Sequence, residues 1–202
     1  MTDQTATTGQ LAAQIAADPV QASLAEADGR WVLTLTRELS HPPERVWPML
    51  TEPAQLSRWS PVVPDRPLTS AGPAVAHETP DAAGVDVTVL ACDPPRELVH
   101  RWGGHLLRWA LAPVPGGSRL TLGQTFDERG EAAMYGAGWH LCLAVLILVD
   151  GGQDVDRIVG SRARDYGWAE LRDRYQAQLD AARGDERTGV PAGRWSRRRP
   201  TR

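Results

Sequence analysis

Arg96-Glu97-Leu98-Val99-His100-Arg101-Trp102-Gly103-Gly104-His105-Leu106-Leu107-Arg108-Trp109 has the pattern of a β-hairpin, around which the rest of the chain can be placed. Two alternating runs meet at Gly103-Gly104, a pair that can take the positive φ angles of a two-residue β-turn. With that pair as the turn, Trp102 faces His105, His100 faces Leu107 and Leu98 faces Trp109. Strand side chains alternate with period two, so these six share one sheet face. Val99, Arg101, Leu106 and Arg108 take the other face and suit solvent. A face that is aromatic and apolar yet holds two imidazoles has the make-up of a small-molecule cavity wall more than of a dry core.

Working outward, Trp31 to Leu39 also alternates and reads as a strand, with Trp31, Leu33, Leu35 and Leu39 inward and Thr34, Thr36 and Glu38 outward. Pro42-Pro43 leads into a short helix over 44–50, because proline suits a helix's first turn. A second short helix runs over 53–59. Proline and glycine interrupt 62–83, so strands there are expected to be short and edge-like, His77-Glu78-Thr79 among them. Residues 85–91 alternate again, and Asp93-Pro94-Pro95 is a turn. Past the hairpin, a turn at Pro115-Gly116-Gly117 opens a strand over 119–127, with Leu120, Leu122, Gln124 and Phe126 on one face. An apolar run over 134–149 predicts a buried helix over 131–150; it is slightly short for a membrane span. A further helix over 165–182 sets Trp168, Leu171, Tyr175 and Leu179 on one stripe. Residues 1–29 read as a partly ordered extension, in which Leu11, Ile15 and Leu24 could shape a short loose helix. Residues 30–182 form the domain, and 183–202 a disordered basic tail. The fold class is α+β: a curved antiparallel sheet must cover its apolar face, and the helix over 131–150 is the cover.

The chain's 202 residues, 42% of them hydrophobic, suffice for one domain with extensions. All 22 basic residues are arginine. The formal charge of −3 divides into a tail of +5, where seven Arg stand against Asp185 and Glu186, and a body of −8. An acidic body argues against a nucleic-acid partner. Cys92 and Cys142 form no CxxC pair, and the N-terminus lacks the basic start and apolar core of a signal peptide, which points to the cytoplasm. His77, His100, His105 and His140 lack metal-ligand spacing, so no metal is expected. There is no G-x-S-x-G, phosphate loop or dinucleotide fingerprint, and no cofactor is expected.

The motifs resemble the SRPBCC, or START-like, superfamily. Leu39-Ser40-His41-Pro42-Pro43-Glu44-Arg45-Val46-Trp47, Leu56-Ser57-Arg58-Trp59-Ser60-Pro61, Asp93-Pro94-Pro95-Arg96-Glu97-Leu98-Val99 and Gly138-Trp139 carry the resemblance, in that order. The branch they look most like is the bacterial homologues of the activator of heat-shock protein 90 ATPase. The resemblance covers roughly residues 30 to 150, with an extension to about 180. It implies the helix-grip fold, with two small helices after the first strand, an extra C-terminal helix, and a hydrophobic cavity between sheet and long helix. The superfamily includes lipid and polyketide binders, cyclases, hormone receptors and co-chaperone domains, so fold alone does not transfer function. The short segment Pro67 to Gly84 implies a shallower or more open pocket.

On these grounds the candidate ligand contacts are Trp59, His100, Trp102, His105, Trp109, Trp139 and Leu143. Trp139, Leu143, Leu146 and Ile147 follow helical spacing and are expected to face the sheet. Trp59 stands where the resemblance places a cavity lid, Trp47 is expected to anchor the small helix, and His140 is expected to face a rim or a partner. Arg37 and Glu78 are the charges nearest the inner face, each a buried ion-pair member or a solvated edge residue, with the edge favoured for Glu78. The leading reading is a binder of a small apolar or aromatic ligand. One rival is a cyclase- or aromatase-type enzyme using His100 or His105 as acid/base. The other is an interaction or chaperone-associated protein with a filled cavity, for which a homodimer through the apolar helix is one arrangement.

Overall fold

The computed structural model describes residues 2–187, with side-chain surroundings for 9–183. In chain order the elements are α1 (Thr2–Ala17), β1 (Ser23–Ala27), β2 (Arg30–Leu39), α2 (Pro43–Thr51), α3 (Pro53–Leu56), β3 (Val63–Pro64), β4 (Val75–His77), β5 (Val85–Asp86), β6 (Val89–Asp93), β7 (Glu97–Trp102), β8 (His105–Val114), β9 (Gly117–Phe126), α4 (Ala132–Asp150) and α5 (Trp168–Arg187). Six strands form one antiparallel sheet in the order β1-β2-β9-β8-β7-β6. The Pro- and Gly-rich segment contributes instead to a separate small sheet, β3-β4-β5.

The β7–β8 register is the one read from the hairpin: Trp102 opposite His105, His100 opposite Leu107, Leu98 opposite Trp109. Gly103 takes a φ of 56°, a left-handed value open to glycine without strain. On the inner face Leu98, His100, Leu107 and Trp109 are buried, while Arg101 and Arg108 are exposed on the outer one. The expected inward residues of β2 and β9, Leu33, Leu35, Leu39, Leu120, Leu122, Gln124 and Phe126, are buried as well.

α4 lies across this face. It is hydrophobic all round, as a helix enclosed on every side must be. By length and composition it could cross a membrane, yet 72% of its most apolar window is buried inside the protein. Trp139, Leu143 and Leu146 are buried, and Ile147 is half-buried. The opposite side meets α5 and α1. There Gly136 allows close approach: a Cβ at that position would stand 2.9 Å from the Tyr175 ring. Gly136→Ala is therefore expected to destabilise the protein by about 1–3 kcal/mol through overpacking, measured as a lower urea midpoint at unchanged slope.

Three expectations need correction. Leu24 belongs to strand β1, which pairs with β2 through a turn at Asp28-Gly29, both at positive φ. His140 faces neither rim nor partner. It is buried, its Nε2–H donating to the Ile15 carbonyl at 2.9 Å and its Nδ1 accepting from the Tyr175 hydroxyl at 3.1 Å. Burial pushes its pKa down, against an upward pull from the Ile15 carbonyl, because a low-dielectric site disfavours the charged ring. Trp59 is no lid: it lies in the core and donates its indole N–H to the Met49 carbonyl at 2.8 Å. Trp47, on α2, is buried in the core, as expected of a residue that anchors the small helix. Arg37 is the buried ion-pair member, bonded to Asp18 at 3.1 Å, which ties the segment after α1 to β2. Residues 183–187 continue α5, and the remainder of the expected tail lies outside the described residues.

Candidate ligand cavity

A file of indoles occupies the groove between sheet and helix. Trp59 meets Trp109 edge-on at 5.8 Å, Trp109 meets Trp139 at 5.3 Å, and Trp139 meets Trp102 at 5.3 Å. Edge-to-face contacts of this kind add to the area the rings bury. Beside the deep part of the file, among His100, Trp102 and Trp109, only about 20 Å³ stays empty, room for about one water. The deep groove is thus filled.

Open space begins at the outer end. A cavity of about 270 Å³ lies between the sheet, α4 and the chain leading into α5. The sheet contributes Trp102 and Gln124; α4 contributes Met134, Tyr135, Gly138, Trp139 and Cys142. Ile158, Gly160, Ala163 and Trp168 cover the opposite side, and Pro61 and Glu78 complete the wall. Gly138 borders the space directly, since a Cβ there would have no neighbour within 4 Å.

Of the residues proposed from sequence, Trp102 and Trp139 line this cavity. Trp59, Trp109 and Leu143 are buried and are not among its lining residues. His100 is also set back. Its Nε2 accepts the Trp109 indole N–H at 3.0 Å, and its Nδ1–H donates to the Arg101 carbonyl at 2.7 Å. An indole only donates and a carbonyl only accepts, so His100 is the neutral Nδ1–H tautomer with no nitrogen to spare. Burial pushes its pKa down to about 4, against a smaller upward pull from the Arg101 carbonyl. Because the folded-state value lies below the unfolded one, this histidine favours folding above pH 6.5 and opposes it increasingly toward pH 4. Stability is expected to fall by about 2 kcal/mol from this source between pH 7 and pH 5. Urea unfolding at the two pH values checks it, and His100→Gln should flatten the difference.

His105 belongs to a directional hydrogen-bond chain at the cavity edge. The Trp139 indole N–H donates to Gln124 Oε1 at 2.6 Å, which turns the Gln124 amide N–H toward His105 Nδ1 at 2.9 Å. His105 therefore accepts at Nδ1 and points Nε2–H at the Tyr135 hydroxyl, 3.5 Å away. The Tyr135 hydroxyl in turn donates to Glu131 at 2.7 Å. Burial, with that bond and the Glu131 charge, pushes the Tyr135 pKa up, so the phenol keeps its proton. Burial likewise pushes the Cys142 thiol up to about 12, which leaves it protonated and a poor nucleophile. Among the described residues no group of three or more His, Cys, Asp or Glu side chains could hold a metal ion.

Gln124, Tyr135, Gly138 and Trp168 were not among the sequence candidates. Trp168 had a signal: it heads the α5 stripe, and the first residue of such a stripe lies at the end of the packed interface. Gly138 had one too, as a glycine interrupting an apolar helix beside a tryptophan.

A curved antiparallel sheet closed over one long helix, with an aromatic-walled cavity at the mouth between them, defines an SRPBCC-type helix-grip protein. The family model for polyketide cyclase / dehydrase and lipid transport proteins matches residues 30–140, and the chain belongs to that family. The match is to this family and does not confirm the heat-shock ATPase activator branch. Among solved structures, CalU16 from Micromonospora echinospora is similar, with 18% identity over 78% of this chain and 96% of that one, at a TM-score of 0.60. Protein EF2215 from Enterococcus faecalis shares 15% over 87% and 97%, at 0.64. DynU16, from the dynemicin biosynthetic locus, shares 20% over 65% and 51%, at 0.54. At these identities the likeness is one of fold. No curated protein matches the chain.

Proposed function

We propose that the chain binds a small apolar or aromatic molecule in the cavity at the mouth of the grip. The observation that carries this reading is the space of about 270 Å³ walled by Trp102, Tyr135, Trp139 and Trp168. Its size falls just below the usual range of drug-sized pockets and suits a ligand of one or two rings. Aromatic walls supply burial, at roughly 25 cal/mol per Å² of apolar surface, and the Tyr135 hydroxyl and Gln124 amide supply orientation. The proposed contacts are therefore Trp102, Tyr135, Trp139 and Trp168, with Trp59, His100, Trp109 and Leu143 as the support behind them. The matching family, described as cyclase, dehydrase and lipid transport proteins, supports a hydrophobic ligand. Two free cysteines fit a reducing compartment such as the cytoplasm.

Native mass spectrometry beside a thermal-shift screen of apolar and aromatic metabolites tests the proposal. A co-purifying small molecule, or strong stabilisation by one chemical class, supports it; an unliganded mass with no stabilising compound removes it.

A cyclase reading has one observation in its favour: Tyr135 lines the cavity and contacts His105. Under that reading His105 acts through the Tyr135 hydroxyl, and His100, with both nitrogens committed, has no part. Tyr135→Phe would then cost turnover by orders of magnitude, whereas a binder loses affinity only.

A further inference from the structure

The geometry points to a ligand that carries a cationic amine, paired with the Glu78 carboxylate on the cavity wall. This deepens the ligand-binding reading above and rests on it.

Glu78 is half-buried and lines the cavity, and among the described residues its carboxylate has neither a hydrogen-bond nor an ion-pair partner. Its Oε1 lies 3.6 Å from where a Cβ on Gly160, another wall residue, would stand. A carboxylate half removed from water against an apolar wall is costly unless something pairs with it. The cation bonded to the same loop, Arg157, does not fill that role. Its guanidinium donates to the carbonyls of Ser60, at 3.2 Å, and of Glu78 itself, at 2.6 Å. The other carboxylate at this end, Glu131, is taken by the Tyr135 hydroxyl. Among the described residues the cavity thus offers one unpaired negative charge.

The rest of the wall reinforces the preference. Four aromatic rings, Trp102, Tyr135, Trp139 and Trp168, surround the space. Aromatic faces attract cations, indole most strongly, and the effect grows as water is excluded. No lysine exists in the chain, and among the described residues no arginine lines the cavity. Among the described residues a carboxylate ligand would meet Glu78 with no cation lining the wall, since Arg157, whose charge reaches Cys142, is held behind it by the Ser60 and Glu78 carbonyls. A protonated amine on a ring system of one or two rings matches both charge and volume.

Matched pairs isolate the charge: tryptamine against tryptophol, and 2-(1-naphthyl)ethylamine against 2-(1-naphthyl)ethanol, titrated calorimetrically into the full chain at pH 7. Each amine is expected to bind at least about 10-fold tighter than its alcohol. Glu78→Gln should remove that preference while leaving the alcohols within about twofold and the melting temperature no lower, since no protein partner of the carboxylate is lost and a half-desolvated charge is removed. Glu78→Asp, which keeps the charge, should retain part of the preference. Equal binding of amine and alcohol by the unmodified protein would overturn the cationic ligand and leave the apolar cavity standing. An amine preference that persists in Glu78→Gln would overturn the role of Glu78. If none of the four compounds binds, this inference fails, and the ligand-binding reading is then decided separately by the metabolite screen.

Discussion

Gly138→Leu is expected to weaken ligand binding by at least about 100-fold while leaving the fold intact. The position lies on α4 at the cavity wall, and a side chain added there would have no protein neighbour within 4 Å of its Cβ. Leucine would grow into the space that the ligand needs, and a pocket of about 270 Å³ cannot lose a leucine side chain's volume and still hold a two-ring molecule. Leucine is also a better helix residue than glycine, by roughly 0.5–1 kcal/mol in a helix interior. The variant should therefore melt no lower than the parent. Gly136→Ala, two residues earlier, should do the reverse: lose stability and keep the cavity. Titration calorimetry and thermal unfolding on both variants check the contrast. A Gly138→Leu protein that binds as the parent does would place the ligand elsewhere.

The largest loss of stability is expected for Trp109→Ala. This indole sits between Trp59 and Trp139 in the file that fills the groove and is almost completely buried. Truncating a core tryptophan costs about 3–5 kcal/mol in lost burial and cavity formation. The substitution also strands His100 Nε2, which accepts only the Trp109 N–H; a buried polar atom without its partner adds about 1–3 kcal/mol. Against a typical total of about 5–15 kcal/mol, this is enough to leave a substantial unfolded population. Trp109→Phe keeps part of the ring packing and should show mainly the histidine's share. Urea unfolding measures both. A loss below about 1 kcal/mol for Trp109→Ala would mean that the file does not hold the groove together.

Much of the fold could be read from local chemistry, because the decisive elements have strong patterns. The Gly103-Gly104 turn sets the β7–β8 register, and the alternation on β2 and β9 identifies their inner faces. The apolar run of α4 announces a buried helix. Strand β1 went unread although Asp28-Gly29 is a strong hairpin pair; the flanking Ser23–Ala27 is too small and polar to show alternation, and four of its five side chains are exposed.

The site was legible in outline only. Trp102 and Trp139 were found because Trp102 ends an alternating strand at the turn and Trp139 begins the helical stripe that faces the sheet. The limit on the others is a matter of depth. Period two says that Trp109 and His100 face inward, but not that three further indoles would fill the space before them. Glu78, read from sequence as a solvated edge residue, lines the cavity because Gly160 and its neighbours fold over it from more than eighty residues along the chain. His140 shows the same limit: its environment is made by Ile15 and Tyr175, which no local pattern brings to it.

The most direct test of the cavity claim is the indole N–H region of a 15N-resolved NMR spectrum, recorded while adding the compound that stabilises the protein most in the thermal-shift screen. Trp102, Trp139 and Trp168 line the proposed site, whereas Trp47 and Trp59 are buried away from it. The first three signals are expected to shift with the ligand, and those of Trp47 and Trp59 to stay in place. Movement of Trp59 without Trp139, or no movement of any of these signals at saturating ligand, would contradict the cavity claim.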